Sequence, residues 1–447
     1  MRRFPVIAAS AALALSPLSA WAEPATSEGA RGLEALYATY LSRAAIDDGV
    51  ISIAPDNDAY VVTWDFQKLA GLAGLQGLKV EPFSYRLTPG PAGAWTLLGD
   101  HYPHVSMDIP APQGRATATL DFQGVRLGAV FDPQQTEFLR SKVGVERMDG
   151  AFAITDGARR SDVNFAEEGI VVETRAKPAE SGEGVDVAIA EAFRSVSETA
   201  SGTPSSGQGE PTQMNYGISG TVAGATVSGL RAREIGELWK SVVAHFDAGE
   251  LAPETRARLL AALPLWDVLR AHAEIRDLSV ETPQGAARMK TLGETLDLTG
   301  FTKTGAVEIG LDVDGMTLKS ELLPPGSGGF WPASLSLNLT ATSEGWDRAA
   351  RLALDDAHFL ADGVLSAEAQ DKIGGVLAAG NPRMVLKPGH FKIPTLDLRF
   401  EGEAGLESDE PTGHLKVSAD SLDKTIDLLK EMATSEPGLT PAILGLV

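Results

Sequence analysis

Two histidines and an aspartate come close together in the run Asp100-His101-Tyr102-Pro103-His104, with Asp108 shortly after. Imidazole and carboxylate groups at short spacing are the ligands a transition metal takes. On a strand or loop, however, two histidines at this spacing do not converge, and no third ligand is placed beside them. They read as surface or turn histidines. A second candidate is acidic. Asp312, Asp314, Gly315 and Glu321 fall on calcium-loop positions counted from Gly310, but Gly310 stands where the first aspartate belongs. Val307, Ile309, Leu311 and Val313 alternate into Asp314-Gly315, and Met316 and Leu318 alternate out. That pattern predicts a two-residue β-hairpin whose turn needs positive φ.

Ser421-Leu422-Asp423-Lys424 has the serine–lysine spacing of penicillin-binding enzymes, and Lys303-Thr304-Gly305 matches a further motif of theirs. Their order is reversed here and no Ser-Asp-Asn element lies between, so Ser421 reads as a helix cap. A nucleophile elbow, a zinc-protease helix, a phosphate-binding loop and a dinucleotide fingerprint are all missing from the sequence. Carboxylates are abundant enough for a glycosidase-type pair, yet no spacing singles one out. Trp64, Trp95, Trp239, Trp266, Trp331 and Trp346 are scattered, which suits packing rather than a sugar platform. The sequence therefore assigns no catalytic, cofactor-binding or metal-ligating residue, and no cofactor is expected.

The elements that would position any site are mostly strands. Arg115 to Gln123 alternates, with Ala116, Ala118, Leu120 and Phe122 on one face. The same period of two returns from Val185 to Ile189, through Leu335, Leu337 and Leu339, and through Leu396, Leu398 and Phe400. One wet face and one covered face are typical of antiparallel pairing. Helical spacing appears in Leu33, Leu36, Tyr37, Tyr40, Leu41 and Ala44, ending before Gly49, and again over Glu234 to Phe246. A further helix is expected from Glu254 to His272, bent at Pro264. Ser366 caps one closed by Gly380, and Ser421 one from Leu422 to Met432. A strand running into a helix recurs near Gly128–Val143, Thr226–Phe246, Leu335–Leu354 and Leu415–Met432. The expected fold is a β-rich α+β one: large, mostly antiparallel, twisted sheets with a few amphipathic helices packed on one side.

Arg2 and Arg3, the apolar run Val6 to Leu18 and the small-x-small triplet Ala20-Trp21-Ala22 predict a signal peptide over 1–22, cleaved after Ala22. The expected address is the periplasm, with an uncleaved inner-membrane anchor as the alternative. No later apolar stretch approaches membrane length; Leu259 to Trp266 is followed at once by Asp267 and reads as part of a buried helix. The chain lacks cysteine, which excludes disulfides, thiol chemistry and lipoprotein acylation. With 38 basic and 60 acidic residues, the net charge of -22 argues against nucleic acid and against electrostatic docking on anionic lipid. A length of 447 residues exceeds what one core usually organises. Ser195 to Thr212 is nearly all Ser, Thr, Gly, Pro, Glu and Gln, the composition of a flexible linker or long loop. It divides the chain into a β-rich part at 23–194 and a larger part at 213–447 with strand–helix units; an insertion loop within one continuous sheet is the alternative.

The run from Gly413 to Leu422, followed by Ile426, Leu428 and Leu429, resembles the domain-of-unknown-function 2125 family of alphaproteobacterial envelope proteins. The strand-rich region from Leu296 to Thr342 and the segment Glu81 to Leu87 add to the likeness, which extends loosely from residue 50 onward. The broader look is similar to AsmA-type, sheet-rich periplasmic proteins. The resemblance implies an envelope location and a β-rich build, and it brings no catalytic residues.

Two functions are carried forward. The first is a non-enzymatic binding or scaffold protein of the periplasm that contacts a lipid or another amphiphile. One-sided apolar strands outnumber the helices able to cover them, so those faces meet each other or a ligand. The second is a hydrolase of envelope polymers whose carboxylates are dispersed over loops. The absence of any local catalytic signature favours the first.

Overall fold

The computed structural model describes residues 25–72, 77–90, 93–111, 114–132, 137–157, 159–203, 212–245, 252–321, 331–356, 365–407 and 410–435. The expected signal peptide lies outside the described residues, as does 204–211 of the expected linker.

The chain opens with helices α1 (Ser27–Leu41) and α2 (Arg43–Asp47). Thr26 caps α1, its side-chain oxygen accepting from the Gly29 amide at 3.0 Å. Next come β1 (Ile51–Asp56), β2 (Ala59–Trp64), a short helix α3 (Phe66–Leu72), β3 (Leu78–Val80), β4 (Phe83–Pro89), β5 (Trp95–Gly99), β6 (Val105–Ala111), β7 (Gly114–Gln123) and β8 (Arg126–Asp132). Two strands of 20 residues follow, β9 (Glu137–Asp156) and β10 (Arg159–Pro178). Then come β11 (Val185–Phe193), β12 (Ser195–Gly202), β13 (Thr212–Ile218) and β14 (Gly220–Leu230), and the helices α4 (Ala232–His245) and α5 (Pro253–Ala262). The C-terminal part holds β15 (Val268–Thr282), β16 (Gly285–Thr299), β17 (Thr304–Asp314), β18 (Thr317–Ser320), β19 (Ser334–Glu344), α6 (Trp346–Asp356), α7 (Ala367–Ala378), β20 (Arg383–Ile393), β21 (Leu396–Glu407), β22 (Glu410–Asp420) and α8 (Leu422–Ser435).

Among the described residues all 22 strands belong to one hydrogen-bonded sheet, and every pairing is antiparallel. The β-rich α+β fold read from strand alternation is the fold observed. One ladder runs β1-β2-β4-β5-β8-β9-β10-β11-β14-β15-β16-β17-β19-β20-β21-β22. The far halves of β9, β10, β15 and β16 carry a second set of neighbours: β3, β6, β7, β12, β13 and β18.

Where the two sets meet, the sheet is creased. The strands β7 and β8 lie end to end along β9, β12 and β11 along β10, and β18 and β17 along β16. At each junction one residue adopts the left-handed conformation: Gly124 (φ 62), Gly169 (φ 64), Asp277 (φ 48) and Gly315 (φ 67). Each sits beside a side chain of the adjoining strand or junction: Gly124 by Glu146, Gly169 by Arg194, Gly315 by Lys290. Asp277 accepts a hydrogen bond from Ser219 Oγ at 2.6 Å. A left-handed residue at such a place kinks its strand and interrupts the alternation while the register across β9–β10 and β15–β16 stays in step. Apolar parity accordingly switches at the crease, from Leu269, Ala271, Ala273 and Ile275 to Leu278 and Val280 in β15.

The closed hydrophobic core sits at the N-terminal end, where α1 covers β1, β2, β4, β5 and β8. Leu33 and Tyr37 of α1 meet Val62, Tyr85, Leu97 and Phe131, all buried. The helices α4, α5, α6 and α7 continue from α1 in a line along one rim of the sheet. Trp239 Nε1 donates to the Tyr40 carbonyl at 3.2 Å, Arg351 of α6 reaches the Leu260 carbonyl of α5, and α6 packs on α7.

Four local expectations are corrected. The first eight residues of the expected linker form β12, paired with β10 and β13, so the ladder runs unbroken through this region. Ser and Thr alternate there with Val196, Glu198 and Ala200, a pattern that a strand accepts despite the polar composition. The helix expected to His272 stops at Ala262, and residues 268–282 are strand. Proline removes a donor and pushes the preceding residue to extended ψ, here 135° at Leu263. The Asp314-Gly315 hairpin does not form: β17 and β18 both pair with β16, and Gly315 supplies its positive φ to the crease. Of the four strand–helix recurrences, β14 to α4, β19 to α6 and β22 to α8 are present, whereas residues near 128–143 run from β8 into β9.

Candidate functional site

Directly paired residues in an antiparallel sheet project from the same face. From β11 onward the register therefore draws a continuous line of side chains. Ile189 faces Ala225, Ala225 faces Ala271, then Leu296 and Ile309 follow. The line continues through Leu339 and Leu386 to Gly402 and Leu415 at the last strand. Nine strands spaced about 4.8 Å apart make this row roughly 38 Å long. A parallel row on the same face joins Val187, Val227, Leu269, Leu298, Val307 and Ala341. Another joins Ile275, Leu292, Val313, Leu335, Phe391 and Leu398.

This apolar face is largely uncovered. Ile309 is 53% exposed, Leu415 66% and Val417 54%, and Ile189, Leu296, Leu337 and Met384 are exposed too. Leucine and isoleucine side chains of a closed core are usually buried, as Leu33 and Val62 are in the N-terminal cluster. Among the described residues no second sheet packs on the face; α6 and α7 touch β17 and β19 only near the helical rim, at Gly305 and Ser343. The face is a trough bounded by the helices on one side and by the crease on the other. Toward β22 it deepens into a hollow of about 430 Å³, lined by Leu339, Met384, Leu386, Ala404 and Leu415.

The opposite face is polar. Arg270 pairs with Asp297 at 3.5 Å, and Glu308 accepts from Asn338 and Lys387. Hydrogen bonds from Lys387, then from Asn338, hold the Glu308 carboxyl below the usual carboxylate range. These exposed pairs contribute little stability each and keep the back of the sheet wetted.

The residues singled out from sequence are dispersed. His101 Nδ1 lies 3.3 Å from Asp100, and His104 Nδ1 lies 2.6 Å from Asp121, so each histidine has its own carboxylate. Among the described residues no cluster of three His, Asp or Glu side chains could hold a metal ion. Ser421 follows β22 and Lys303 precedes β17, with β19, β20 and β21 between these strands. Trp64 packs on Tyr37 and Phe66, and Phe301 bridges Trp266 and Trp346, whereas Trp239 is 55% exposed. Among the described residues the Glu167 carboxylate is pushed up, by burial first and by the neighbouring Glu191 charge second. The apolar row itself was visible in sequence as alternation within single strands. Its alignment across nine strands depends on register, which alternation does not encode.

The chain matches no protein-family model, no curated protein and no solved structure.

Proposed function

We propose that the protein is a non-enzymatic binding protein of the cell envelope that holds an amphiphile, a lipid or other acyl-bearing molecule, on its open apolar trough. The observation that carries this reading is the exposed row from Ile189 through Ile309 to Leu415. Contiguous apolar patches of this extent are rare on proteins that have no partner for them. Each methylene moved from water onto such a surface gains up to about 0.8 kcal/mol, so an acyl chain repays the desolvated trough without a single polar contact. A second copy of the chain is a poorer occupant, because two molecules of net charge -22 repel one another.

The address belongs to the same proposal. Arg2-Arg3, the apolar run to Leu18 and Ala20-Trp21-Ala22 support export to the periplasm with cleavage after Ala22. The resemblance of the Gly413–Leu422 run to the domain-of-unknown-function 2125 family supports that address as well. Sequencing the mature N-terminus tests it: a chain starting at Glu23 is expected, and one retaining Met1 contradicts cleavage.

Native mass spectrometry of protein purified from membrane and periplasmic fractions tests the binding. The expected result is an adduct of lipid mass that is lost from an Ile309→Asp, Leu339→Asp double variant. Protein free of any adduct in both fractions, with no uptake of added fatty acid, contradicts it.

A further inference from the structure

A second concavity lies on the other face and has a different character. It is a hollow of about 860 Å³ over β2, β4, β5, β8, β9 and the middle of β10. Side chains on its walls come from the face opposite the N-terminal core: Leu98 is paired with Gly128, which is paired with Lys142. The volume lies within the range of small-molecule sites, about 300–1,000 Å³.

Its charge reverses that of the chain. Arg86, Arg126, Lys142 and Arg194 line it against the carboxylates of Asp100 and Glu146, in a protein where acidic residues far outnumber basic ones. Arg86 is held at the edge by Asp56 and Asp58. The other three are available at small cost. Arg194 makes no ion pair among the described residues. Arg126 meets Glu146 at 3.4 Å, a loose contact. Lys142 meets Glu173 at 2.6 Å, but Arg175 also reaches Glu173 at 3.1 Å, so the carboxylate keeps a partner if the lysine turns away. Exposed pairs of this kind contribute little, less than a charge-assisted bond to a ligand anion returns.

The floor between these cations is bare backbone. A Cβ built on Gly144 would meet nothing within 4 Å, and one on Gly128 only Leu98 Cδ2 at 3.8 Å. Neither glycine has positive φ, so conformation does not require glycine at these places; the space above them stays open. Glycine within a strand lets another molecule approach the main chain closely. Leu98, 54% exposed, and Val171 add apolar surface beside the cations.

We infer that this hollow binds a phosphate monoester carrying a short apolar group, its phosphate between Arg194, Arg126 and Lys142 and its apolar part over Gly128 and Gly144 against Leu98. Three cations lining one hollow suit an anion of more than one charge, and guanidinium groups meet phosphate oxygens in a two-pronged geometry. The site lies on the face opposite the amphiphile trough, so each reading stands or falls without the other.

Calorimetric titration of the full chain with hexyl phosphate, inorganic phosphate and hexanol tests the inference. Hexyl phosphate is expected to bind one to one and at least about tenfold more tightly than either fragment. Arg194→Gln, an exposed substitution, should weaken it by about tenfold or more. Gly144→Leu, which grows into open space, should abolish binding while leaving the thermal midpoint in place. Vesicle pelleting distinguishes the source of the ester. Arg194-dependent binding to phosphatidic acid but not phosphatidylcholine vesicles assigns a lipid headgroup; retained hexyl phosphate binding without pelleting assigns a soluble ester. Hexyl phosphate binding no tighter than hexanol, or binding indifferent to both Arg194→Gln and Gly144→Leu, overturns the site.

Discussion

Individual residues of the same chemical type have opposite roles at the two ends of this sheet. Leu33, on the inner side of α1, is 1% exposed, and truncation to Ala should cost about 2–5 kcal/mol because a cavity replaces a packed side chain. Ile309 stands more than half exposed, and Ile309→Ser should cost about 1 kcal/mol or less while lowering the affinity for a fluorescent fatty acid. Chemical denaturation of both variants beside a fatty-acid titration separates the two effects. A pH dependence also belongs at this scale. Burial raises the Tyr37 and Tyr85 phenols above their usual value of 10.0, and the two hydroxyls share a hydrogen bond of 2.6 Å. The folded state keeps these protons longer than the unfolded chain does. Their contribution is therefore complete below about pH 10, where unfolded tyrosine begins to ionise, and is lost as pH rises through the higher folded values. Thermal midpoints should fall above that pH, and less steeply in Tyr37→Phe. An equal slope in both proteins would remove Tyr37 from the explanation.

At the level of elements, the crease governs the shape. Gly169 has φ 64, and a Cβ there would come within 2.9 Å of the Arg194 Cβ. Gly169→Val should lower stability by about 1–3 kcal/mol, a strain cost that a substitution in regular strand does not carry. Thermal unfolding beside Val171→Ala in the same strand checks it; equal losses would mean that the left-handed geometry at 169 is not required. Alternation made most strands legible, because a half-buried strand writes its face into every second residue. The crease was not legible, since Asp314-Gly315 uses the same positive φ whether it closes a hairpin or kinks a strand, and only the partner strand decides. The residues from Val268 to His272 fit a helix by the spacing of Leu259, Leu260, Leu263, Val268 and Leu269, while Pro264 and the run Leu269, Ala271, Ala273 carry the opposing signal. Ser195 to Gly202 was obscured by composition, as polar Ser and Thr serve in an inner strand when both neighbours supply hydrogen bonds.

The whole molecule is one antiparallel sheet with a closed core at its beginning and an open greasy surface over the rest. That imbalance between strands and covering helices was readable from the sequence, whereas the choice between two faces meeting and one face left open was not. Among the described residues the face is open from β11 to β22, and the polar, ion-paired back of the sheet makes the asymmetry sharp. Photo-crosslinking with a diazirine-bearing fatty acid, mapped by peptide mass spectrometry, tests the central claim most directly. The account predicts labels at Ile189, Leu296, Ile309 and Leu415, suppressed by excess unlabelled fatty acid. Labels confined to the back of the sheet, at Val222 or Val385, or no competable labelling at all, would contradict it.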